Sequence, residues 1–298
     1  MSTPSLAGAY PIGGRDVPRI GYGLGSLHRS AEQPGGHDAA VSLLHDVYGL
    51  GIRMLDTAHF YGDGLANSLI REVLGTHRDD LFLATKAGAR STPEGPFPMT
   101  AAQKPSELRD SVEINLQTLG TDRLDLLYLR RMDFLPGLVV EGDQQVPLED
   151  QIGELLALRD EGKILGIGLS HVRLEQVQQA FDLGIEVQAV QNIFNAVDRH
   201  DQALADLTEE RGAAWIPYFP LGGGFHQGPK VTDEETVQRI AAAHGITPSQ
   251  VGQAWLLHSA PNTVLISGTS QRAHLEENVA AGDVDLSDEE WAQLDALG

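Results

Sequence analysis

The sequence predicts an α/β fold, a single (β/α)8 TIM barrel with an N-terminal β-hairpin and a C-terminal extra helix. Short, nearly continuous apolar segments recur along the chain, as in strands buried on both faces. Amphipathic helical segments stand between them, and alternation on this scale is typical of a closed parallel barrel. No Pro/Ser-rich linker or long charge run divides the 298 residues. We therefore expect one domain spanning residues 1–298.

The first elements are a hairpin and a short strand. Residues 7–12 and 16–20 flank the glycine turn Gly13-Gly14-Arg15, a pattern that predicts a β-hairpin. The next segment, Gly21-Tyr22-Gly23-Leu24-Gly25, lacks the GxGxxG spacing of a dinucleotide-binding loop. A first barrel strand near residues 20–23, whose glycines let a ligand approach the backbone, explains it at least as well.

Seven more strands and their helices follow in order. The apolar segments predict strands at residues 52–55, 81–84, 124–129, 164–169, 186–190, 213–218 and 263–266. The helix with the clearest pattern is Pro105–Leu119, with proline in its first turn and Gly120 as terminator. The other helices are predicted at residues 38–50, 66–74, 149–160, 174–183, 202–211 and 248–258, with the extra helix at 288–297.

Three loops are long and rich in glycine or proline, at residues 87–103, 130–148 and 221–232. All three follow the C-terminal ends of predicted strands, the face on which barrel active sites are built. Any one of them alone is also explained as a surface insertion without a role. Three on one face favour an active site.

Composition excludes several classes of function. The chain carries 21 Lys+Arg against 42 Asp+Glu, a net charge of −21, so we expect no nucleic-acid or anionic-membrane partner. It has no cysteine, hence no disulfide, thiol nucleophile or cysteine-based zinc site. The 11 histidines show no HExxH motif, and we expect no metal. With no signal peptide and no long apolar run, we expect a cytoplasmic protein.

Polar side chains end most of the predicted strands, and a barrel brings such positions to one mouth. From the second strand to the seventh they are Asp56, Lys86, Arg130, Ser170, Gln191 with Asn192, and Tyr218. Lys86 taken alone is better explained as an ordinary ion-paired residue. The joint pattern in register favours a catalytic site.

A phenol follows the first of these residues, with Tyr61 five positions after Asp56. A phenol, with an ordinary pKa near 10, serves as an acid at neutral pH only if its neighbours favour the phenolate. The ammonium of Lys86 would do so, and a carboxylate would keep that lysine charged and oriented. Such a set could protonate a carbonyl oxygen while a hydride arrives at carbon.

Five motifs together resemble those of the aldo-keto reductases, from about residue 18 to the last helix. They are Asp-Thr-Ala-x-x-Tyr-Gly at residues 56–62, Ala-Thr-Lys ending at Lys86, Val-Gln-Asn-x-x-Asn at 190–195, Tyr-Phe-Pro-Leu-Gly at 218–222 and Gly-Thr-Ser-x(3)-His-Leu-Glu-Glu-Asn at 268–278. Each motif alone is moderately specific, whereas the combination is specific.

The resemblance implies a barrel that binds NADPH and reduces a small carbonyl substrate, with Asp56, Tyr61 and Lys86 as catalytic residues and the tyrosine as general acid. It implies that Gln191 and Ser170 contact the nicotinamide carboxamide and that Tyr218 stacks on the nicotinamide ring. The full set of implied cofactor-binding residues is Gly23, Ser170, His171, Gln191, Tyr218, Pro220, Leu221, Gly268, Thr269, Ser270, Arg272, His274, Glu277 and Asn278. Residues 268–278 would hold the adenosine 2′-phosphate, and they also lead into a helix N-terminus, which favours phosphate.

The sequence departs from the family pattern at three positions. The family usually has a histidine where this chain has Arg130, which cannot donate its proton but can hydrogen-bond a substrate oxygen. We therefore count Arg130 among the catalytic residues. His171 stands where an asparagine commonly follows the serine. His274 stands where many members carry an arginine on the 2′-phosphate, and Arg272 is near enough to substitute.

The arginine variant is similar to bacterial pyridoxal reductase-like members of the family. Pyridoxal carries an aldehyde next to a readily ionised 3-oxygen, and a guanidinium could engage both. Arg131 and His59 are predicted to line the substrate pocket, although His59 is equally well an exposed loop residue. The alternatives are a general aldehyde or ketone reductase and an NADPH-binding regulatory subunit with little turnover. We expect a monomer or a weak homo-oligomer.

Overall fold

The computed structural model of the chain describes residues 5–95, 98–223 and 228–298. Strands β1 (Ala9–Ile12) and β2 (Arg15–Pro18) pair antiparallel, which confirms the predicted hairpin. Its turn places Gly13 at φ 58° and Gly14 at φ 76°, the positive values that a tight hairpin turn demands. Arg15 pairs with Asp125 at 2.6 Å. The hairpin therefore lies at the N-terminal end of the barrel strands.

The central sheet is parallel and has seven strands among the described residues. They are β3 (Tyr22–Gly23), β4 (Met54–Asp56), β5 (Phe82–Ala87), β8 (Leu126–Arg130), β9 (Ile167–Ser170), β10 (Val187–Gln191) and β11 (Ala214–Trp215), in that spatial order. A second hairpin, β6 (Ala89–Ser91) with β7 (Met99–Ala101), lies in the loop after β5. Sequence analysis missed this hairpin because its short strands are not apolar runs.

Residues 263–265 close the sheet into a barrel. Trp215 bridges to Thr263, and Ile20 bridges to Leu265, both in parallel orientation. Backbone hydrogen bonds run to both neighbours, from Val264 to Trp215 at 2.9 Å and from Gly21 to Leu265 at 2.8 Å. The segment predicted as the eighth strand is thus present as isolated bridges, and the (β/α)8 barrel prediction is confirmed.

The helices surround this sheet. They are α1 (Leu27–Ala31), α2 (Gly36–Gly49), α3 (Leu65–Leu74), α4 (Pro105–Leu119), α5 (Leu148–Asp160), α6 (Leu174–Asp182), α7 (Gln202–Glu210), α8 (Glu235–His244), α9 (Pro248–Ser259), α10 (Arg272–Ala280) and α11 (Asp288–Asp295). Every predicted helix is present with ends shifted by a few residues at most, including the extra helix α11. Sequence analysis missed α1 and α8. It expected a helix N-terminus at residues 268–278, which α10 confirms, but gave that helix no range.

Two layers of apolar side chains hold the fold together. Ile12 and Val17 of the first hairpin join the side chains that fill the barrel interior, such as Met54 and Phe82. The larger core lies between the strands and the helices. It buries one face of α4, formed by Leu108, Val112, Leu116 and Leu119. Within the described ranges, no helix is long and apolar enough to cross a membrane.

Two of the long predicted loops, at residues 87–103 and 130–148, leave the C-terminal ends of β5 and β8. The third is at 221–232. The first loop lies outside the described residues at 96–97, and the third lies outside them at 224–227.

Candidate active site

A buried ion pair joins the ends of two neighbouring strands. Lys86 Nζ lies 2.6 Å from Asp56 Oδ1 and donates to the Thr57 carbonyl at 3.0 Å. Asp56 and Lys86 are 2% and 3% exposed, and buried charges persist in proteins when they are paired in this way. Burial is the largest influence on the pKa of Lys86 and lowers it. The Asp56 carboxylate and Tyr61 outweigh burial, so that the pKa lies above its ordinary 10.5.

Tyr61 lies directly beside this pair. Lys86 Nζ stands 5.1 Å from the centre of the Tyr61 ring. The ring packs parallel to His28 at 5.8 Å and meets Phe60 edge-on at 5.1 Å. A Cβ atom on Gly25 would come within 3.6 Å of the Tyr61 hydroxyl. The structure thus brings together three of the four predicted catalytic residues, Asp56, Tyr61 and Lys86, and fixes the orientation of the phenol.

Two further strand ends connect to the same carboxylate. The Gln191 side-chain amide donates to Asp56 Oδ2 at 2.9 Å, and Ser170 Oγ donates to Gln191 Oε1 at 3.3 Å. All three side chains are buried. Gln191, a predicted carboxamide contact, therefore also orients the Asp56 carboxylate across the barrel mouth, and Ser170 holds Gln191.

Arg130 and Tyr218 form a second, positively charged corner of the mouth. The guanidinium carbon of Arg130 lies 5.9 Å from the centre of the Tyr218 ring. Burial raises the pKa of Tyr218, and the charge and hydrogen bond of Arg130 oppose that rise. Arg130 Nε is buried and has no hydrogen-bond partner among the described residues. This nitrogen is a free donor for an oxygen atom of a ligand.

The backbones of the first and last barrel strands approach closely at two predicted cofactor residues. A Cβ atom on Gly23 would lie 2.5 Å from the Ile266 carbonyl, and one on Gly268 would lie 2.3 Å from the Gly23 carbonyl. The hydroxyls of Ser26 and Ser267 are buried and unpartnered within the described residues. Helix α10 begins just after this approach, so that free hydroxyls and a helix N-terminus meet there, which suits a phosphate-bearing ligand.

The remaining predicted cofactor residues of this segment lie around the start of α10. Ser270, Arg272 and His274 are exposed, and Thr269 is buried. Arg272 pairs with Asp46 at 2.8 Å and with Glu276 at 2.9 Å. The carboxylate of Glu277 lies 3.5 Å from the Thr247 hydroxyl, and Asn278 accepts from Gln253 at 2.7 Å. Pro220 and Leu221 are half-buried and directly follow the Tyr218 segment.

Two predicted substrate-pocket residues lie apart from this constellation. The Arg131 guanidinium binds Asp133 at 2.8 Å, the Val146 carbonyl at 3.0 Å, and the Gln151 side chain. The structure thus turns Arg131 toward α5, because side chains alternate along a strand and Arg130 takes the inward direction. His59 packs against Gly64 at the start of α3, and burial lowers its pKa.

Sequence analysis missed three side chains around the site. His28 stacks on Tyr61, and its buried Nδ1 has no partner among the described residues. Gln103 donates to the carbonyls of Gly88 and Arg130 at 2.6 and 2.8 Å, and so ties together the loops after β5 and β8. Phe134 contacts His171. None of them stands at a strand end, the signal on which the candidate residues were selected.

Comparisons with known proteins identify the family of this chain. The aldo/keto reductase family model matches residues 19–298. Pyridoxine 4-dehydrogenase from Escherichia coli K12 is 37% identical over 294 residues, covering 97% of each chain. An uncharacterized oxidoreductase from Schizosaccharomyces pombe is 32% identical, covering 99% of this chain and 91% of its own.

Solved structures similar to this chain are also aldo/keto reductases. An aldo/keto reductase from Klebsiella pneumoniae, in complex with NADP and acetate, superposes with a TM-score of 0.80 at 25% identity, covering 97% of this chain and 94% of its own. The chain therefore belongs to the aldo/keto reductase family and is an oxidoreductase that acts on small carbonyl compounds.

Proposed function

We propose that this protein is an NADPH-dependent reductase of small aldehydes and ketones, that residues 1–298 act as one domain, and that Tyr61 is the general acid. The observation that carries the proposal is the buried Lys86–Asp56 pair, with its 2.6 Å contact, beside the phenol of Tyr61. A tyrosine can donate a proton at neutral pH when a fixed positive charge stabilises the phenolate that remains.

The residues around Gly23 and Gly268 fit a dinucleotide. Their close backbone approach, the unpartnered hydroxyls of Ser26 and Ser267 and the start of α10 offer donors to phosphate and ribose oxygens. Arg272 would meet the 2′-phosphate. The Klebsiella pneumoniae relatives were solved with NADP and with NADPH, which supports the same cofactor here. Bound NADPH supplies the hydride.

The proton comes from Tyr61. Its hydroxyl donates to the carbonyl oxygen, and the Lys86 ammonium stabilises the phenolate left behind. Lys86 cannot turn away, because Asp56 and the Thr57 carbonyl bind it. Asp56 is held in turn by Gln191. The chain thus has its electrostatic stabilisation in place before the substrate binds.

Arg130 selects the substrate. It is always charged and cannot be the proton donor, but its unpartnered Nε can donate to an oxygen next to the reacting carbonyl. Pyridoxal, with an ionised 3-oxygen beside its aldehyde, matches this arrangement. The similarity to Escherichia coli pyridoxine 4-dehydrogenase supports the same choice. We propose pyridoxal as substrate, reduced at its aldehyde to pyridoxine.

A matched pair of aldehydes tests the substrate. Pyridoxal and pyridine-4-carbaldehyde, the control, share the pyridine ring and the aldehyde position, and only pyridoxal carries the 3-oxygen. Because pyridoxal also carries a 2-methyl and a 5-hydroxymethyl group, 3-hydroxypyridine-4-carbaldehyde, which differs from the control only in the 3-oxygen, should show the same gain. With NADPH, kcat/KM for pyridoxal should exceed that for the control by about tenfold or more, the value of one charge-assisted hydrogen bond. Equal values would show a general aldehyde reductase, and absence of NADPH oxidation with both would contradict the proposed activity.

A further inference from the structure

His171 adopts an unusual backbone conformation between β9 and α6. Its φ is 55°, a left-handed value that few residues with a Cβ adopt and that persists only where the surroundings impose it. The end of β10 imposes it here. The His171 amide donates to the Gln191 carbonyl at 3.0 Å. The Asn192 side chain accepts from the Val172 amide at 3.0 Å and donates to the Val172 carbonyl at 2.7 Å.

The two ring nitrogens of His171 contact two different parts of the site, which we call its walls: the loop after β8, at Phe134, and the Tyr218 side chain. Nε2 lies 3.0 Å from the Phe134 carbonyl, and Nδ1 lies 3.0 Å from the Tyr218 hydroxyl. A carbonyl only accepts, so Nε2 carries a proton, and when the ring is neutral Nδ1 accepts from the Tyr218 hydroxyl. The guanidinium carbon of Arg130 lies 5.9 Å from the centre of the Tyr218 ring. The two hydrogen bonds of His171 thus run in one direction, from the Tyr218 hydroxyl to the Phe134 carbonyl.

The Phe134 segment, residues 133–138 of the loop after β8, is fixed at this point to the turn between β9 and α6. Its ring stacks on His171 at 4.2 Å between ring centres, and the guanidinium carbon of Arg173 lies 5.1 Å over it. The neighbouring Asp133 accepts from Gln176 at 2.5 Å. The loop after β8 is therefore anchored where it leaves the barrel, next to Arg130.

We propose that His171 is a positioning residue that couples the two walls: it orients Tyr218 and holds the Phe134 segment, instead of contacting the cofactor directly as a member of the predicted cofactor-binding set would. The expected effect on turnover rests on the proposed function. The hydrogen bonds and the loop contacts of His171 do not depend on that function, so they are measured first, without turnover.

Three variants separate the two contacts of His171, which we call the loop arm (to the Phe134 segment) and the Tyr218 arm (to the Tyr218 hydroxyl). Tyr218→Phe removes only the hydroxyl. His171→Phe keeps an aromatic ring against Phe134 and removes both hydrogen bonds. His171→Asn keeps a residue that tolerates the left-handed backbone but is too short to span both partners, and it replaces His171→Phe if that variant fails to fold. His45→Asn, an exposed histidine on α2, is the matched control.

Hydrogen exchange tests the loop arm. Exchange in residues 133–138 should accelerate by about three- to tenfold in both His171 variants, as expected for loss of one neutral hydrogen bond. It should remain at the wild-type rate in Tyr218→Phe and in the His45 control. Wild-type exchange in both His171 variants would overturn the inference.

A double-mutant cycle tests the Tyr218 arm. NADPH affinity, measured by fluorescence titration, should fall by about three- to tenfold in Tyr218→Phe and in His171→Phe. The double variant should be no weaker than the weaker single variant, because both changes break the same hydrogen bond. Multiplied effects in the double variant would mean that His171 contacts the cofactor independently and would overturn the inference.

Turnover provides the last measurement. His171→Phe should raise KM for the carbonyl substrate by more than it lowers kcat. The reason is that the Phe134 segment is loosened, whereas Tyr61 and the Lys86–Asp56 pair beside it are unchanged. A loss confined to kcat would contradict the coupling. If instead Tyr61→Phe retained full turnover, the proposed function would fail, while the exchange and affinity measurements would still decide the role of His171.

Discussion

The side-chain amide of Gln191 donates a 2.9 Å hydrogen bond to Asp56, at the oxygen that Lys86 does not contact. Asp56 thereby receives one partner from β5 and one from β10, on opposite sides of the barrel mouth. A carboxylate with both oxygens engaged cannot rotate away from the lysine it orients. The position of Lys86 relative to Tyr61 therefore depends on a residue that comes from a distant strand.

Replacing Gln191 with methionine, which has a similar shape, should lower kcat/KM by about tenfold, since one hydrogen bond to a charged group is lost. The fold should persist, because the methionine fills the same space. Steady-state kinetics with thermal unfolding as a control measure both effects. An unchanged kcat/KM would show that Asp56 needs no second partner.

Replacing Asp56 with asparagine should destabilise the protein by about 3–5 kcal/mol, because it leaves the buried Lys86 ammonium without its counter-charge. The double variant Asp56→Asn/Lys86→Met should recover most of that stability and remain inactive. Urea unfolding measures the free energies. A single variant as stable as wild type would show that Lys86 gives up its proton in the folded state.

The same pair predicts a pH dependence at the alkaline end. The pKa of Lys86 is raised in the folded state from its ordinary 10.5, so its stabilising contribution is complete below pH 10.5 and is lost as the pH rises through the folded value. Wild-type stability relative to the double variant should therefore fall above pH 10.5 and stay constant between about pH 7 and that value. A difference that is flat through pH 11 or that grows with pH would contradict this assignment.

Arg130 predicts a change in substrate preference. Arg130→Met should lower the ratio of kcat/KM values for pyridoxal and pyridine-4-carbaldehyde by about tenfold or more, because the partner of the 3-oxygen is lost. Arg130→Lys keeps the charge without the planar donor fork and should fall in between. The same ratio in all three proteins would show that Arg130 does not contact that oxygen.

Arg272 predicts that nearby carboxylates compete with the cofactor phosphate. Asp46 and Glu276 bind its exposed guanidinium. Asp46→Asn should therefore strengthen NADPH binding by about twofold at low salt, a small effect because the pair is at the surface. NADH binding should not change. Arg272→Met should weaken NADPH alone, and equal losses for both cofactors would place the 2′-phosphate elsewhere.

Much of the fold was predictable because local signals agree with it. Pro105 and Gly120 mark both ends of α4, and strands buried on two faces appear as apolar runs. The range of helix α10 was not predicted, because few of its side chains, among them Leu275 and Val279, are buried and apolar. The loss of regular pairing at residues 263–266 depends on neighbouring strands, which no local pattern records.

The candidate site was predictable to a similar extent. Asp56 and Lys86 end neighbouring parallel strands, so their contact follows from topology alone. The contacts of His171 do not, since they depend on its left-handed backbone and on a carbonyl of a distant loop. The outward direction of Arg131 was available from strand alternation once Arg130 was assigned to the mouth.

The most direct test of the account is the Tyr61→Phe variant in a single-turnover reaction with NADPH and pyridoxal. The variant keeps the ring that packs on His28 and removes only the hydroxyl. The rate of NADPH oxidation should fall by about 10²–10⁴-fold, the range for loss of a general acid, while NADPH affinity stays within about twofold. A variant that oxidises NADPH as fast as wild type would contradict the central claim that Tyr61 protonates the substrate.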